Sequence, residues 1–177
     1  MPSLYEYYNT GDDGYSWEYD VYWKAQTFTV GATGHTVSSV KLKLFRYGSP
    51  GTVTVSIRAT DGSGHPTGPD LTSGTIDGNS LTTNSSGLWY EITLTEITLS
   101  ASTKYAIVVR APSGTGSNFL CWKRDGSSPT YTDGNEEDSS NSGGAWTSDA
   151  TKDLMFEVWG NATGPPPSID IILVQVM

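Results

Sequence analysis

The sequence has few of the residues that most catalytic and metal sites require. Cys121 is the only cysteine, and His35 and His65 are the only histidines, in 177 residues. One cysteine cannot form an internal disulfide framework, and by itself it cannot make a zinc site. A serine or cysteine nucleophile needs a histidine base, and both histidines lie in glycine-rich predicted turns. We therefore expect a protein that is not an enzyme.

Positive charge is also scarce. The chain has 10 Lys and Arg residues against 19 Asp and Glu residues, a formal net charge of −9 and a pI near 4.4. An acidic surface repels phosphate groups, so we expect neither nucleic acid nor an anionic membrane as a partner. No apolar run approaches the roughly 18 residues of a membrane span. Residues 1–8 lack the basic and apolar regions of a signal peptide, so we expect no export signal.

What the sequence does contain is the pattern of short β-strands. Apolar and polar residues alternate through 40–44 and 53–59, which places successive side chains on opposite faces of a strand. Gly48, Pro50 and Gly51 lie between these segments and predict a β-hairpin that joins them. Further strands are predicted at 25–30, 71–76, 88–94, 105–111, 119–123 and 154–159.

Many short strands separated by turns at intervals of about ten residues are typical of a sandwich or barrel. We predict an all-β fold, an antiparallel two-sheet jelly-roll sandwich of about eight strands over residues 24–160, with extended N-terminal and C-terminal arms. The predicted core consists of the apolar residues in one phase of the alternation: Phe28, Val30, Val40, Leu42, Leu44, Val53, Val55, Ile57, Trp89 or Tyr90, Ile92, Leu94, Ile107, Val109, Leu154, Phe156 and Val158.

Residues 1–23 are predicted to form an ordered aromatic arm, because disordered tails rarely carry so many aromatic residues. These residues are Tyr5, Tyr7, Tyr8, Tyr15, Trp17, Tyr19, Tyr22 and Trp23.

The other end of the chain is predicted to be a linker followed by a strand. Residues 161–167 are rich in proline, which is typical of a stiff linker. Residues 168–177 are apolar and strand-forming, and an unpaired strand of this kind recruits a partner edge. It either completes a sheet of its own domain or adds to a neighbouring subunit. The residues of this predicted assembly strand are Ile169, Ile171, Ile172, Leu173, Val174 and Val176.

Two kinds of ligand remain possible. Calcium binds several carboxylate and carbonyl oxygens, and loop acids occur at Asp12, Asp13, Asp133, Glu136, Glu137 and Asp138, although no EF-hand pattern is present. We expect no cofactor other than, at most, a structural calcium ion. A glycan is the second possibility, because Trp122 and Trp146 border predicted loops and flat aromatic faces can stack on sugars. Aromatic residues are also common in sandwich cores.

Five segments of the chain resemble a known group of modules: 25–30, 37–42, 50–57, 99–109 and 156–160. Together they are similar to jelly-roll β-sandwich modules found in structural proteins of tailed-phage virions and in large prokaryotic surface proteins. The matched residues are strand and turn positions, so the resemblance implies a fold and carries over no functional residue.

These observations favour a structural protein of a virus or phage particle. We expect a capsid decoration protein or a head-fibre or tail-associated protein, located in the virion and made in the host cytoplasm. Its partners would be other virion subunits, or further copies in a homo-oligomer, bound through the terminal arms. The alternatives are a carbohydrate-binding or adhesion module at a cell surface, and an extracellular filament subunit that assembles by strand exchange.

Overall fold

The computed structural model describes residues 1–164, which form thirteen β-strands and one 3₁₀ turn at Gly78–Ser80. No helix among these residues is long and apolar enough to cross a membrane. The strands are β1 (Ser3–Tyr8), β2 (Gly14–Glu18), β3 (Trp23–Thr29), β4 (His35–Tyr47), β5 (Thr52–Thr60), β6 (Pro66–Asp77), β7 (Leu88–Leu99), β8 (Lys104–Arg110), β9 (Phe119–Asp125), β10 (Glu136–Ser139), β11 (Thr147–Asp149), β12 (Asp153–Leu154) and β13 (Phe156–Ala162).

The first sheet is built around β4. One edge of β4 pairs with β7, and the opposite edge pairs with β13 and then with β9. The sheet is extended by β1, which pairs with β13, and by β2 and β12, which pair with β9. All seven strands are antiparallel to their neighbours.

The second sheet has six strands in the order β11-β10-β3-β8-β5-β6. Every pair in it is antiparallel. The two sheets confirm the predicted all-β, antiparallel two-sheet architecture. Beyond the predicted strands, the described residues contain β1 and β2 near the N-terminus and the short strands β10 and β11 between β9 and β12.

The predicted hairpin between 40–44 and 53–59 is wrong. The first segment belongs to β4 in one sheet, whereas the second belongs to β5 in the other sheet, where β5 pairs with β6 and β8. Both strands turn their apolar side chains toward the same core from opposite sides. Alternation is therefore identical for a hairpin and for a connection that crosses between sheets.

The apolar faces of the two sheets meet in one core. Leu42 and Ile57, from opposite sheets, are both completely buried. Burial of one such side chain stabilises the fold by about 1.5–3 kcal/mol relative to exposure. The predicted core is confirmed, and of the two candidates at 89 and 90 it is Tyr90 that packs against it.

One edge of the sandwich is closed by a close approach between β6 and β7. A Cβ atom at Gly74 of β6 would lie 2.0 Å from the backbone oxygen of Thr93 in β7. The two sheets therefore approach each other at Gly74 because glycine has no side chain.

The N-terminal segment is part of the first sheet, so the prediction of an extended arm over residues 1–23 is wrong. β1 pairs with β13, and β2 pairs with β9 along its whole length. The segment is ordered because its backbone groups pair with β13 and β9 and its rings pack on the sheet. At the other end, β13 continues to Ala162, which shortens the predicted linker.

Candidate functional site

Strand β2 carries two aromatic side chains on the outer face of the first sheet. Side chains alternate along a strand, so Tyr15 and Trp17 point outward while Ser16 and Glu18 are buried. Trp17 is 41% exposed and Tyr15 is 38% exposed. Aromatic rings of this size are usually more buried, so their exposure on one strand marks this face as a candidate binding surface.

The register of the sheet brings more rings beside these two. Trp17 lies opposite Cys121 of β9, which in turn lies opposite Phe45 of β4. The next pair along the same two strands is Tyr47 and Phe119, whose ring centroids are 4.9 Å apart. Separations of this size are typical of favourable aromatic pairs.

The turn after β2 adds two tyrosines. Tyr19 and Tyr22 form an isolated β-bridge across a turn in which Asp20 has φ 49°, a conformation that Asp tolerates better than most residues. The Trp17 ring lies 5.3 Å from Tyr19 and 5.4 Å from Tyr22. We call the resulting surface the aromatic platform, and it consists of Tyr15, Trp17, Tyr19, Tyr22, Tyr47 and Phe119. The completely buried ring of Phe45 supports it from beneath, against Tyr15 and Tyr47.

Three surface cavities share Trp17 as a lining residue. A cavity of about 190 Å³ lies between Trp17 and Phe119, and one of about 520 Å³ extends past Tyr15 to Lys123 and Arg124. A third, of about 220 Å³, is bordered by Tyr22 and by polar residues of β10. The Trp17 ring is therefore the centre of the site.

Charged side chains border the aromatic platform. Asp12 accepts from Lys43 Nζ at 2.7 Å and lies 3.4 Å from Lys123 Nζ. Burial raises the pKa of the Tyr15 phenol, so this hydroxyl remains a hydrogen-bond donor at neutral pH. A flat aromatic surface with donors and acceptors at its border can stack against a ring and bind its substituents.

Beneath the aromatic platform lies a buried polar cluster. Glu18 and Glu136 are completely buried, and neither carboxylate oxygen of Glu18 has a hydrogen-bond partner among residues 1–164. Ser16 Oγ donates to Glu136 Oε1 at 2.6 Å. The same oxygen lies 3.6 Å from Lys24 Nζ and 3.9 Å from Arg124 Nη1. Carboxyl and basic groups from both sheets therefore meet in the interior.

Burial favours the neutral forms of two members of this buried polar cluster, Glu18 and Lys24. Desolvation raises the pKa of Glu18 well above its usual range, although the positive charge of Lys24 opposes the rise. Desolvation lowers the pKa of Lys24, against the attraction of Glu136 and Glu18. Both directions follow from the cost of placing charge in a low-dielectric environment.

The structure separates the two tryptophans predicted to contact a glycan. Trp122 is completely buried in the core, and its indole N–H donates to the Met155 carbonyl at 2.8 Å. The predicted glycan contact at Trp122 is therefore wrong, because no ring face reaches the surface. Trp146 is half-buried on the outer face of the second sheet, against Ala25 and Val108. Its glycan contact stays a prediction.

The loop acids considered for calcium do not converge. Asp12 pairs with lysines, Glu137 pairs with His65, and Asp138 pairs with Lys24. Within the described part of the chain, no group of three or more His, Cys, Asp or Glu side chains is arranged to hold a metal ion.

The two histidines pair with glutamates, and the cysteine is buried. His35 is completely buried, stacks on Tyr5 at 3.8 Å and lies 2.9 Å from Glu6 Oε2. The prediction that His35 lies in a turn is wrong, because β4 begins at this residue. His65 lies 2.7 Å from Glu137 Oε2. Cys121 is a buried strand residue, and burial raises the pKa of its thiol.

The predicted assembly strand lies outside the described residues, and so do Pro165–Pro167 of the predicted linker. The residues that sequence reasoning missed are those of the aromatic platform. The alternation of Tyr15, Trp17 and Tyr19 with Ser16 and Glu18 could have indicated a strand with one aromatic face. A scan against models of known protein families finds no match, and a search of curated proteins also finds none.

Proposed function

We propose that this protein is a non-enzymatic binding module of the jelly-roll type that holds saccharides on the aromatic platform. The observation that carries this proposal is the exposure of Trp17, at 41%, at the meeting point of three surface cavities. An exposed indole surrounded by concave surface offers a ligand one flat apolar face and space on several sides.

The chemistry of a sugar fits this surface. One face of a pyranose ring presents C–H groups that pack on an indole, while its hydroxyl groups form hydrogen bonds at the ring edge. Lys123 and Arg124 line the largest of the three cavities and supply donors, while Asp13 supplies an acceptor. The formal net charge of −9 favours neutral or cationic saccharides over sulfated ones.

The test is a glycan-binding screen, followed by calorimetry on the ligands found. Trp17→Ala should weaken binding about tenfold or more, since the loss of one stacked ring costs about 1.5 kcal/mol. Trp159→Ala is the matched control, because Trp159 belongs to the first sheet but lies outside the aromatic platform. Failure of the unmodified protein to bind any glycan would contradict the proposal, as would a Trp17→Ala variant with unchanged affinity.

A structural role in a virion is the second candidate. It is favoured by the contiguous exposed rings, because monomeric proteins rarely expose apolar patches unless another molecule covers them. In this alternative the aromatic platform is the contact with a neighbouring subunit of a decorated capsid, head fibre or tail. The location is then the virion, whereas a glycan-binding module is also consistent with a cell surface.

Light scattering distinguishes the subunit contacts. It would be applied to the full chain, to Trp17→Ala and to a chain that ends at Thr163, with circular dichroism as the folding control. Oligomers that Trp17→Ala converts to monomers would support the aromatic platform as the contact. Oligomers lost only on truncation would support the predicted assembly strand. Monomers in all three samples would contradict a homo-oligomer.

A further inference from the structure

Lys24 and Asp138 meet where β3 pairs with β10. The two residues are directly opposite each other in the antiparallel register, and Lys24 Nζ contacts Asp138 Oδ1. The Lys24 side chain is 14% exposed and that of Asp138 is 36% exposed. The amine is thus largely enclosed, while the carboxyl group reaches the surface at a cavity that both residues border.

Two further acids stand beside this pair. Glu136 Oε1 lies 3.6 Å from Lys24 Nζ, and Glu136 Oε2 has no hydrogen-bond partner within residues 1–164. Both oxygens of Glu18 are likewise without a partner in that part of the chain. Burying unpartnered carboxyl groups destabilises a fold, and such groups concentrate where a protein performs chemistry.

We propose that Lys24 and Asp138 condense to form an intramolecular amide bond, with Glu136 as the group that transfers protons. This modification goes beyond the proposed binding function and does not depend on it. It would be a covalent link between β3 and β10 of the second sheet.

The reaction is a condensation that releases one water molecule. Glu136 first carries a proton from the Lys24 ammonium group to the Asp138 carboxylate, which leaves a neutral amine and a neutral acid. The nitrogen then forms a bond to Cγ of Asp138. A second nitrogen proton passes through Glu136 to one hydroxyl group on Cγ, the C–O bond breaks, and water leaves. The nitrogen keeps one hydrogen, and Cγ keeps one oxygen.

The surroundings favour each requirement of this reaction. Burial lowers the pKa of Lys24, so the nucleophilic neutral amine is more accessible than in water. The fixed contact makes the reaction intramolecular, which in well-aligned systems equals effective concentrations of about 10⁵–10⁸ M. The cavity of about 220 Å³ beside both residues provides a path for the released water. The product also removes a partly buried charge pair from the protein.

Intact-mass spectrometry of the full chain tests the proposal. The protein with the natural sequence should be lighter by one water molecule than the mass calculated from that sequence. Lys24→Arg and Asp138→Ala should each have the full sequence mass, because an amine or a carboxyl group is then missing. Asp138→Asn should lose one ammonia molecule instead of water. Glu136→Gln should lose water slowly or not at all.

A matched control separates this site from other ion pairs. Lys152 Nζ lies 2.6 Å from Asp149 on the same sheet, and Lys152→Arg should still lose one water molecule. Proteolysis of the protein without substitutions should produce one branched peptide that joins the segments around Lys24 and Asp138. Trypsin should not cleave after Lys24 in that peptide.

Two results would overturn the proposal. The first is that the protein without substitutions is folded by circular dichroism and still has the full mass calculated from its sequence. The second is a loss of water that persists in Lys24→Arg, since dehydration at an Asp-Gly sequence such as Asp133-Gly134 would have the same mass. Peptide mapping of the protein without substitutions shows whether the branched peptide is present, even if a variant fails to fold.

Discussion

The free energy of unfolding should fall as the pH rises from 4 to 7, and Asp153 should account for a large part of the fall. Asp153 is only 3% exposed and lies on β12. Burial raises its pKa to about 6, with repulsion from Asp125 and Glu136 in the same direction, and hydrogen bonds from the Tyr131 N–H and from Gln26 oppose the rise.

The sign follows from proton binding. The unfolded chain releases the Asp153 proton near its ordinary value of 3.8, whereas the folded protein keeps it until about pH 6. Between these values the folded state binds more protons, so stability decreases as the pH rises. Each pKa unit corresponds to about 1.4 kcal/mol, which gives a loss of about 3 kcal/mol by pH 7.

The assay is urea denaturation followed by tryptophan fluorescence at several pH values from 4 to 7. Asp153→Asn removes the titration and keeps an oxygen that can accept from the Tyr131 N–H. Between pH 4 and pH 7 the variant should lose about 2.4 kcal/mol less than the unmodified protein, because at pH 4 the unfolded chain has already released most of the Asp153 proton. Ionisation of Glu18 also lowers stability as the pH rises, because burial raises its pKa as well. This contribution is the same in the unmodified protein and in Asp153→Asn.

Asp149→Asn is the control for this measurement. Burial opposes ionisation of Asp149, but hydrogen bonds from Lys152 and Thr151 outweigh it and lower the pKa to about 2. Its titration therefore affects stability only as the pH falls below its ordinary value of 3.8. Parallel curves for the unmodified protein and Asp153→Asn from pH 4 to 7 would refute the reasoning about burial.

Three further changes should act at separate places. Asp70 bridges two arginines, whose hydrogen bonds outweigh burial and lower its pKa to about 2; Asp70→Asn should cost about 2 kcal/mol at pH 7 and less at pH 2, by the same urea assay. Trp122→Ala should cost about 3–5 kcal/mol, because Trp122 is completely buried; thermal unfolding should show Trp17→Ala close to the unmodified protein. Gly74→Ala should lower the melting temperature, because its Cβ would collide with the backbone of β7, whereas Gly31→Ala should not, since Gly31 has no atom within 4 Å of that position. Equal melting temperatures for the two glycine variants would show that β6 and β7 can move apart at Gly74 without loss of stability.

The core was predictable because alternation is a local property. Leu42 and Leu44 lie two residues apart, and their burial follows from the geometry of a single strand. The partner of each strand is not local. The segments 40–44 and 53–59 are adjacent in sequence but belong to different sheets, and no pattern within either segment distinguishes these arrangements.

The same distinction explains what the sequence did not indicate about the site. Trp122 borders a predicted loop, yet it faces the core, because β9 pairs with β4 and turns Leu120 and Trp122 inward. Trp17 belongs to a segment predicted as an arm, yet it lies on an open sheet face. Whether an aromatic ring is buried depends on which layer covers it, and that layer comes from a distant part of the chain.

The sequence by itself determined the class of structure, the residues of the core and the acidic surface. These depend on composition and on alternation, which act through neighbouring residues and total charge. Only the tertiary structure decided that β2 pairs with β9, that six rings form one surface, and that Lys24 meets Asp138. Each of these depends on contacts between segments far apart in the chain, which form because both sheets must cover a single apolar core.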